Sequence, residues 1–310
     1  MRNAFADEVT KLGLSDPRVV LLSGDIGNKL FDKFKAGSEG RFLNCGIAEA
    51  NMMGVAAGMA LSGLRPIIYT ITPFTTTRCY EQIRVDACYH NVPVIIVGTG
   101  SGLSYAELGP THHSCEDLAI MRVLPNMTVL APADEVELRQ CMNAALKHDG
   151  PVYIRIGKKG EKVIPKKDQR FEIGKSITVR DGADVCLIGT GTLLPMVLQA
   201  AELLAARGIT ARVESFHTIK PLDEATVQEA FSKFRIVAVI EEHSRIGGLG
   251  GSIAEWLARQ DRMLGRLVGF GTDDDFMHEV GTQEYARARY GLTSENVAGK
   301  IEAAYLKACN

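Results

Sequence analysis

One carboxylate stands out by its surroundings. Glu49 lies in the stretch Arg41-Phe42-Leu43-Asn44-Cys45-Gly46-Ile47-Ala48-Glu49-Ala50-Asn51-Met52-Met53, where a short strand runs into a helix. An acid in the first turn of a helix favours the macrodipole and needs no further role. An acid in an apolar pocket resists ionisation, and such a carboxyl is suited to share a proton with a ring nitrogen. The residues alone leave both readings open. The second candidate is Gly109-Pro110-Thr111-His112-His113, two adjacent histidines after a Gly-Pro turn. Imidazole at the C-terminal end of a central strand can donate to a substrate oxygen or shuttle a proton. The plainer alternative is a pair of loop histidines bonded to backbone. No third nitrogen, sulfur or carboxylate stands at metal-ligand spacing, so no metal site is expected.

Two glycine-rich turns are weaker signals. Gly189-Thr190-Gly191 sits at a strand-to-helix turn but lacks the third glycine and the following acid of a dinucleotide fingerprint, so tight-turn packing is expected. Gly247-Gly248-Leu249-Gly250-Gly251 precedes a helix; anion binding is conceivable there, and close packing is the expectation.

The elements that must position these groups alternate. Phe5, Val9 and Leu12 predict a first helix that stops at Gly13. Apolar runs predict strands at 19–22, 41–45, 66–69, 92–97, 127–130 and 152–156. Helices are expected between them over about 47–61, 75–89, after Ser114 as N-cap, and 134–147. Gly54, Ala57, Gly58 and Ala60 in the 47–61 helix suggest that something packs close to its backbone. Periodicity is lost over 157–182, where Lys158, Lys159, Lys162, Lys166 and Lys167 cluster with Gly160 and Pro165; these charges read as solvent-facing. Strands at 185–188, 211–214, 236–240 and 267–270 then alternate with helices over 194–206, after Pro221-Leu222-Asp223, up to Ala258, and from Ser294. The expectation is an α/β protein of two open, mainly parallel, three-layer α/β/α domains, at 1–165 and 183–310, joined by a linker at 166–182.

The chain has 310 residues, is 46% hydrophobic and carries a formal net charge of -2, enough for two cores. Near-neutral charge without a basic run gives no electrostatic case for nucleic acid or an acidic membrane surface. No stretch approaches the roughly 20 apolar residues of a membrane span. The acidic, amphipathic start Met1-Arg2-Asn3-Ala4-Phe5-Ala6-Asp7-Glu8 is unlike a secretory signal. Seven scattered cysteines without a Cys-x-x-Cys pair fit a reducing cytoplasm and argue against a disulfide framework or structural zinc.

With these motifs in hand, the chain resembles the C-terminal two-thirds of transketolase and of 1-deoxyxylulose-5-phosphate synthase over essentially its whole length. The resemblance is carried by Gly46-Ile47-Ala48-Glu49, by Phe74 with Arg78-Cys79-Tyr80-Glu81-Gln82, and by Gly109-Pro110-Thr111-His112. Lys220-Pro221-Leu222-Asp223, Glu241-Glu242-His243 and Gly247-Gly248-Leu249-Gly250 carry it through the second half. It implies a pyrimidine-binding domain followed by a transketolase C-terminal domain, and thiamine diphosphate as cofactor. Glu49 would hydrogen-bond the pyrimidine ring nitrogen and favour the imino tautomer, whose imino group takes the thiazolium proton. Phe74 would stack on the aminopyrimidine, with Ile47 and Arg78 also in the cofactor pocket. His112 would act in catalysis and contact substrate oxygens, with His113 beside it and Arg155 on the phosphate side.

The family's magnesium-diphosphate motif is missing. Gly24-Asp25 is followed by Ile26 and no Asn-Asn pair comes later, so oxygen ligands for Mg2+ are not assembled here. The resemblance is therefore to the C-terminal subunit of a split transketolase, with a separate N-terminal chain holding the diphosphate and its divalent ion. An α2β2 heterotetramer with β-β self-association is expected, acting on small sugars by two-carbon transfer. Acyl transfer from a 2-oxo acid and a non-catalytic scaffolding subunit are the competing readings. One departure bears on the substrate: Leu108 stands where the family has an Asp before Gly-Pro-Thr-His. Neighbouring Glu107 would point elsewhere in an extended loop.

Overall fold

The structure, a computed structural model, describes residues 1–158, 160–165 and 170–309. Of the expected linker charges, Lys159, Lys166 and Lys167 lie outside the described residues, as does the start of the expected linker at 166.

The first unit runs α1 (Arg2–Ser15), β1 (Val19–Ser23), α2 (Asp32–Gly37), β2 (Phe42–Asn44), α3 (Glu49–Leu61), β3 (Arg65–Ile71), α4 (Thr72–Thr75) and α5 (Tyr80–Gln82). It continues β4 (Ile95–Thr99), α6 (Asp117–Val123), β5 (Thr128–Leu130), α7 (Glu135–Lys147) and β6 (Val152–Ile156). The second unit runs β7 (Ile177–Arg180), β8 (Val185–Gly189), α8 (Leu194–Ala205), β9 (Ala211–Ser215), β10 (Thr218–Lys220), α9 (Glu224–Lys233) and β11 (Ile236–Ser244). It ends with α10 (Leu249–Leu257), β12 (Arg266–Thr272), α11 (Gln283–Arg289) and α12 (Ser294–Cys309). All but β7 and β10 coincide with the apolar runs. Two mainly parallel sheets flanked by helices result: a seven-stranded one in the order β10-β5-β6-β4-β3-β1-β2, and a five-stranded one in the order β12-β11-β8-β9-β7. β1, β4, β6 and β8 are buried at every position, as strands covered on both faces by helices must be.

The two unforeseen strands are both antiparallel edges. β7 lies inside the stretch read as linker and pairs with β9, placing Ile177 opposite Ser215. β10 leaves the second unit to pair with β5 of the first sheet, placing Thr218 opposite Leu130. One buried cluster accordingly runs across both units, from Met52, Ile68 and Leu118 to Cys186, Phe216 and Val239.

Two helices differ from expectation for local reasons. The 75–89 helix is broken into α4, a 3-10 turn over Thr77–Cys79, α5 and a π-helical stretch over Ile83–Tyr89. The hydroxyls of Thr75 and Thr76 donate back to Thr72 O at 3.0 and 2.8 Å, and that of Thr77 to Pro73 O at 2.7 Å. Such back-bonding competes with the helical ladder and bends it. Ser114 does not cap α6, because its Oγ accepts from Gly102 N at 3.0 Å and Glu116 holds the cap position. On α3, nothing in the chain comes within 4 Å of a Cβ built on Gly58, and Gly54 meets only Asp86 Oδ2 at 3.7 Å. Of the four small residues expected to meet a close neighbour, Ala57 and Ala60 are buried in the core, while Gly54 and Gly58 face no close neighbour among the described residues.

Candidate active site

Loops at the carboxyl ends of β1, β2, β3 and β4 converge around Glu49. The turn after β1 is tied to the loop after β2: Asp25 N donates to Gly46 O at 3.1 Å, and Asn44 Nδ2 to Asp25 Oδ1 at 3.0 Å. The side-chain carbonyl of Asn44 in turn accepts from Gly46 N at 2.9 Å, and Gly46 takes φ +66°, a value glycine adopts without strain. This bracing delivers Glu49 to the first residue of α3, where it is only 5% exposed. A Cβ on Gly24 would come 2.9 Å from Thr70 Oγ1 and 3.7 Å from Glu49 Oε1, so the first turn can close over the acid only as glycine. Asp25 is thereby a brace within this turn.

From Glu49 a continuous set of contacts leads outward. Arg78 Nη1 lies 3.3 and 3.2 Å from the two carboxylate oxygens. The same guanidinium lies 3.8 Å above the Phe74 ring centroid. Phe74 meets the His112 ring edge-on at 5.3 Å and 66°, and Tyr105 meets it edge-on at 6.1 Å. Thr111 Oγ1 lies 2.9 Å from His112 Nδ1, and Nε2 has no protein partner among the described residues. Lys158 Nζ lies 4.4 Å from the Tyr105 centroid and pairs with Glu107. Arg78 is half exposed, which limits its pair with Glu49 to about 1 kcal/mol or less.

The structure thus brings Glu49, Phe74, Arg78 and His112 together and separates three other candidates from them. Arg155 is a correction. It is 4% exposed, with Nε on Asp117 Oδ2 at 2.9 Å and Nη2 on Ser114 O and Glu242 O at 3.0 and 2.8 Å. Its cationic group is spent on the seam between the two units; the charge at the outer end of the site is that of Lys158. His113 is buried, bonds Ala106 backbone, and lines a cavity of about 350 Å³ with Cys115, Ser244, Phe276 and Tyr290. Burial holds its pKa below the ordinary histidine value, with His112 beside it adding to the effect. Ile47 is 82% exposed. Leu108 is 49% exposed at the end of a 3-10 turn, and Glu107 turns to Lys158.

The two glycine turns resolve as packing. Glu241 supplies an internal anion to the start of α10, accepting from Leu249 N at 2.8 Å and Gly250 N at 2.9 Å. A Cβ on Gly248 would fall 2.2 Å from Glu241 Oε2. A Cβ on Gly189 would fall 2.9 Å from Leu194 Cδ1, and Gly191 N donates to Ala131 O at 3.2 Å across the seam. Tyr105 is marked by no motif, Lys158 reads in the sequence only as a solvent-facing linker charge and Glu242 only as part of Glu241-Glu242-His243; the fold alone puts all three beside the loop of His112. Among the described residues no group of three or more His, Cys, Asp or Glu is gathered to hold a metal ion. No helix among the described residues is long and apolar enough to cross a membrane.

A buried acid at a helix start, an aromatic face and a guanidinium that touches both thus form one cluster at the carboxyl ends of the first sheet's strands. Residues 1–160 match the transketolase pyrimidine binding domain and residues 174–297 the transketolase C-terminal domain. The chain belongs to the transketolase family. It is 37% identical over 298 residues to the 6-deoxy-6-sulfo-D-fructose transketolase subunit SqwH of Clostridium sp. strain MSTE9, covering 96% of this chain and 92% of that one. It is 33% identical to one of the subunits of apulose-4-phosphate transketolase from Phocaeicola vulgatus, covering 96% and 94%. A solved split gene transketolase, described as an inactive beta4 tetramer, superposes with a TM-score of 0.88 at 38% identity, covering 99% of this chain and 97% of that one.

Proposed function

We propose that this chain is the pyrimidine-holding subunit of a two-chain, thiamine diphosphate-dependent transketolase, transferring a two-carbon ketol unit from a ketose donor to an aldose acceptor. The observation that carries the reading is the guanidinium of Arg78, stacked 3.8 Å above Phe74 and bonded to the buried Glu49. A flat, nitrogen-bearing group already fits between that acid and that ring, as an aminopyrimidine would need to. When bound, the cofactor supplies a carbanion equivalent that can attack a ketone. Glu49 would share a proton with the pyrimidine ring nitrogen and Phe74 would orient the ring by stacking, with the half-exposed Arg78 moving off that face to the pocket mouth. His112, its Nδ1 engaged by Thr111, offers Nε2 to the donor's oxygens.

The diphosphate and its divalent ion are assigned to a second, N-terminal-type chain, in an α2β2 assembly in the cytoplasm. Exposed Ile47 and the open Gly58 face of α3 supply surface for that chain or for a second copy of this one. Donors with an anionic end suit Lys158 at the outer end of the site, and the two related subunits are named for a sulfo sugar and a sugar phosphate. The test is to mix purified chain with thiamine diphosphate and Mg2+, with and without the partner found by co-purification. Tight cofactor binding and ketol transfer are expected only with the partner; tight binding by the chain alone would sink the split-site reading. Carbon dioxide release from pyruvate in the same mixture would identify 2-oxo acid chemistry instead.

A further inference from the structure

The loop that carries His112 is held by the second unit. Residues 102–114 form a loop pinched at its base, where Ser114 N donates to Gly102 O at 2.9 Å and Gly102 N to Ser114 Oγ at 3.0 Å. The tail of β11 seizes this base. Glu242 is 2% exposed, and its carboxylate accepts from Leu103 N at 2.7 Å while Gln283 Nε2, at 2.9 Å, and Arg287 hold it from behind. Its backbone carbonyl accepts from Arg155, which also grips Ser114 O. Ser244 N donates to Cys115 O at 2.7 Å. The fit leaves no slack: Gly102 sits at φ +58°, and a Cβ there would fall 2.7 Å from Glu242 O. A buried carboxylate that gives up one of these donors keeps its desolvation cost without compensation, so the arrangement resists partial opening.

We propose that Glu242 is a positioning residue. It fixes the base of the 102–114 loop and thereby the seat of His112 against Phe74, which gives the C-terminal domain a direct part in substrate placement. The effect on turnover rests on the transketolase reading; the effect on the loop does not. The test pairs E242Q with H112A in a double-mutant cycle on the reconstituted two-chain enzyme, alongside hydrogen exchange of this chain. E242Q is expected to lower kcat/KM for the donor by about 10²-fold through a misplaced His112, and to add little to H112A. Amide exchange over 103–113 should rise about tenfold or more, with α3 exchange and thiamine diphosphate affinity unchanged. Q283A, which removes one supporting donor, should show the same pattern more weakly and serves if E242Q does not fold. Fully multiplicative rate losses, or unchanged exchange at the loop, would overturn the proposal. If the wild-type pair transfers no ketol unit, the functional reading fails and the exchange result still decides the clamp.

Discussion

In the chain by itself Arg78 engages both the Glu49 carboxylate and the Phe74 face, so the acid is paired and not merely set near a helix start. Glu49→Gln keeps the shape and removes the carboxyl that, on the proposed function, would share a proton with the cofactor. In the reconstituted pair kcat should fall about 10² to 10⁴-fold, with the melting temperature nearly unchanged. A purely helix-stabilising acid would show the reverse, a small stability loss and full rate. Phe74→Ala removes a stacking surface worth about 1 kcal/mol, so cofactor affinity measured by titration should weaken about fivefold. His113 offers a pH signature. Its folded pKa lies below the ordinary value, so the unfolded chain binds the proton first and stability declines as pH falls below about 6.5. Urea midpoints at pH 7 and pH 5 should show that loss in the wild type and less of it in His113→Gln. At this scale the sequence marked Glu49, Phe74, Arg78 and His112 through local motifs. It misplaced Arg155 because an arginine on a strand announces its charge but not which side of the strand it faces, and Asp117 and Ser114 claim it only in three dimensions.

Elements whose signal is a run of buried apolar residues, such as Ile95-Ile96-Val97 or Val237-Ala238-Val239, were legible at once. The unseen ones owe their form to partners far along the chain. β10 is three residues long and becomes a strand only because β5 offers a free edge. The break after α4 comes from three consecutive threonine hydroxyls, a local cause that helical periodicity does not register. The glycine turn before α10 makes a sharp prediction. In Gly248→Ala the new methyl must displace the Glu241 carboxylate from the α10 start, costing about 2 kcal/mol or more by chemical denaturation. Gly58→Ala, on an open face of α3, should stabilise the isolated chain by up to about 1 kcal/mol. If that face meets another chain closely, the same change should weaken assembly, seen as a lower mass in light scattering.

For the whole molecule, the two sheets are less separable than two family domains in series suggest. The Glu242 clamp, the Arg155 bonds and β10 all cross the seam. A division of the chain near residue 182 therefore cuts more than a tether. Without β10, the first sheet would end at β5, whose edge N–H and C=O groups would face water unpaired. A bare edge of this kind recruits another strand. A fragment ending at 182 should thus self-associate through that edge, and proteolysis between the units should yield precipitate. The short excursion of Thr218–Lys220 closes the edge of the sheet that holds Glu49.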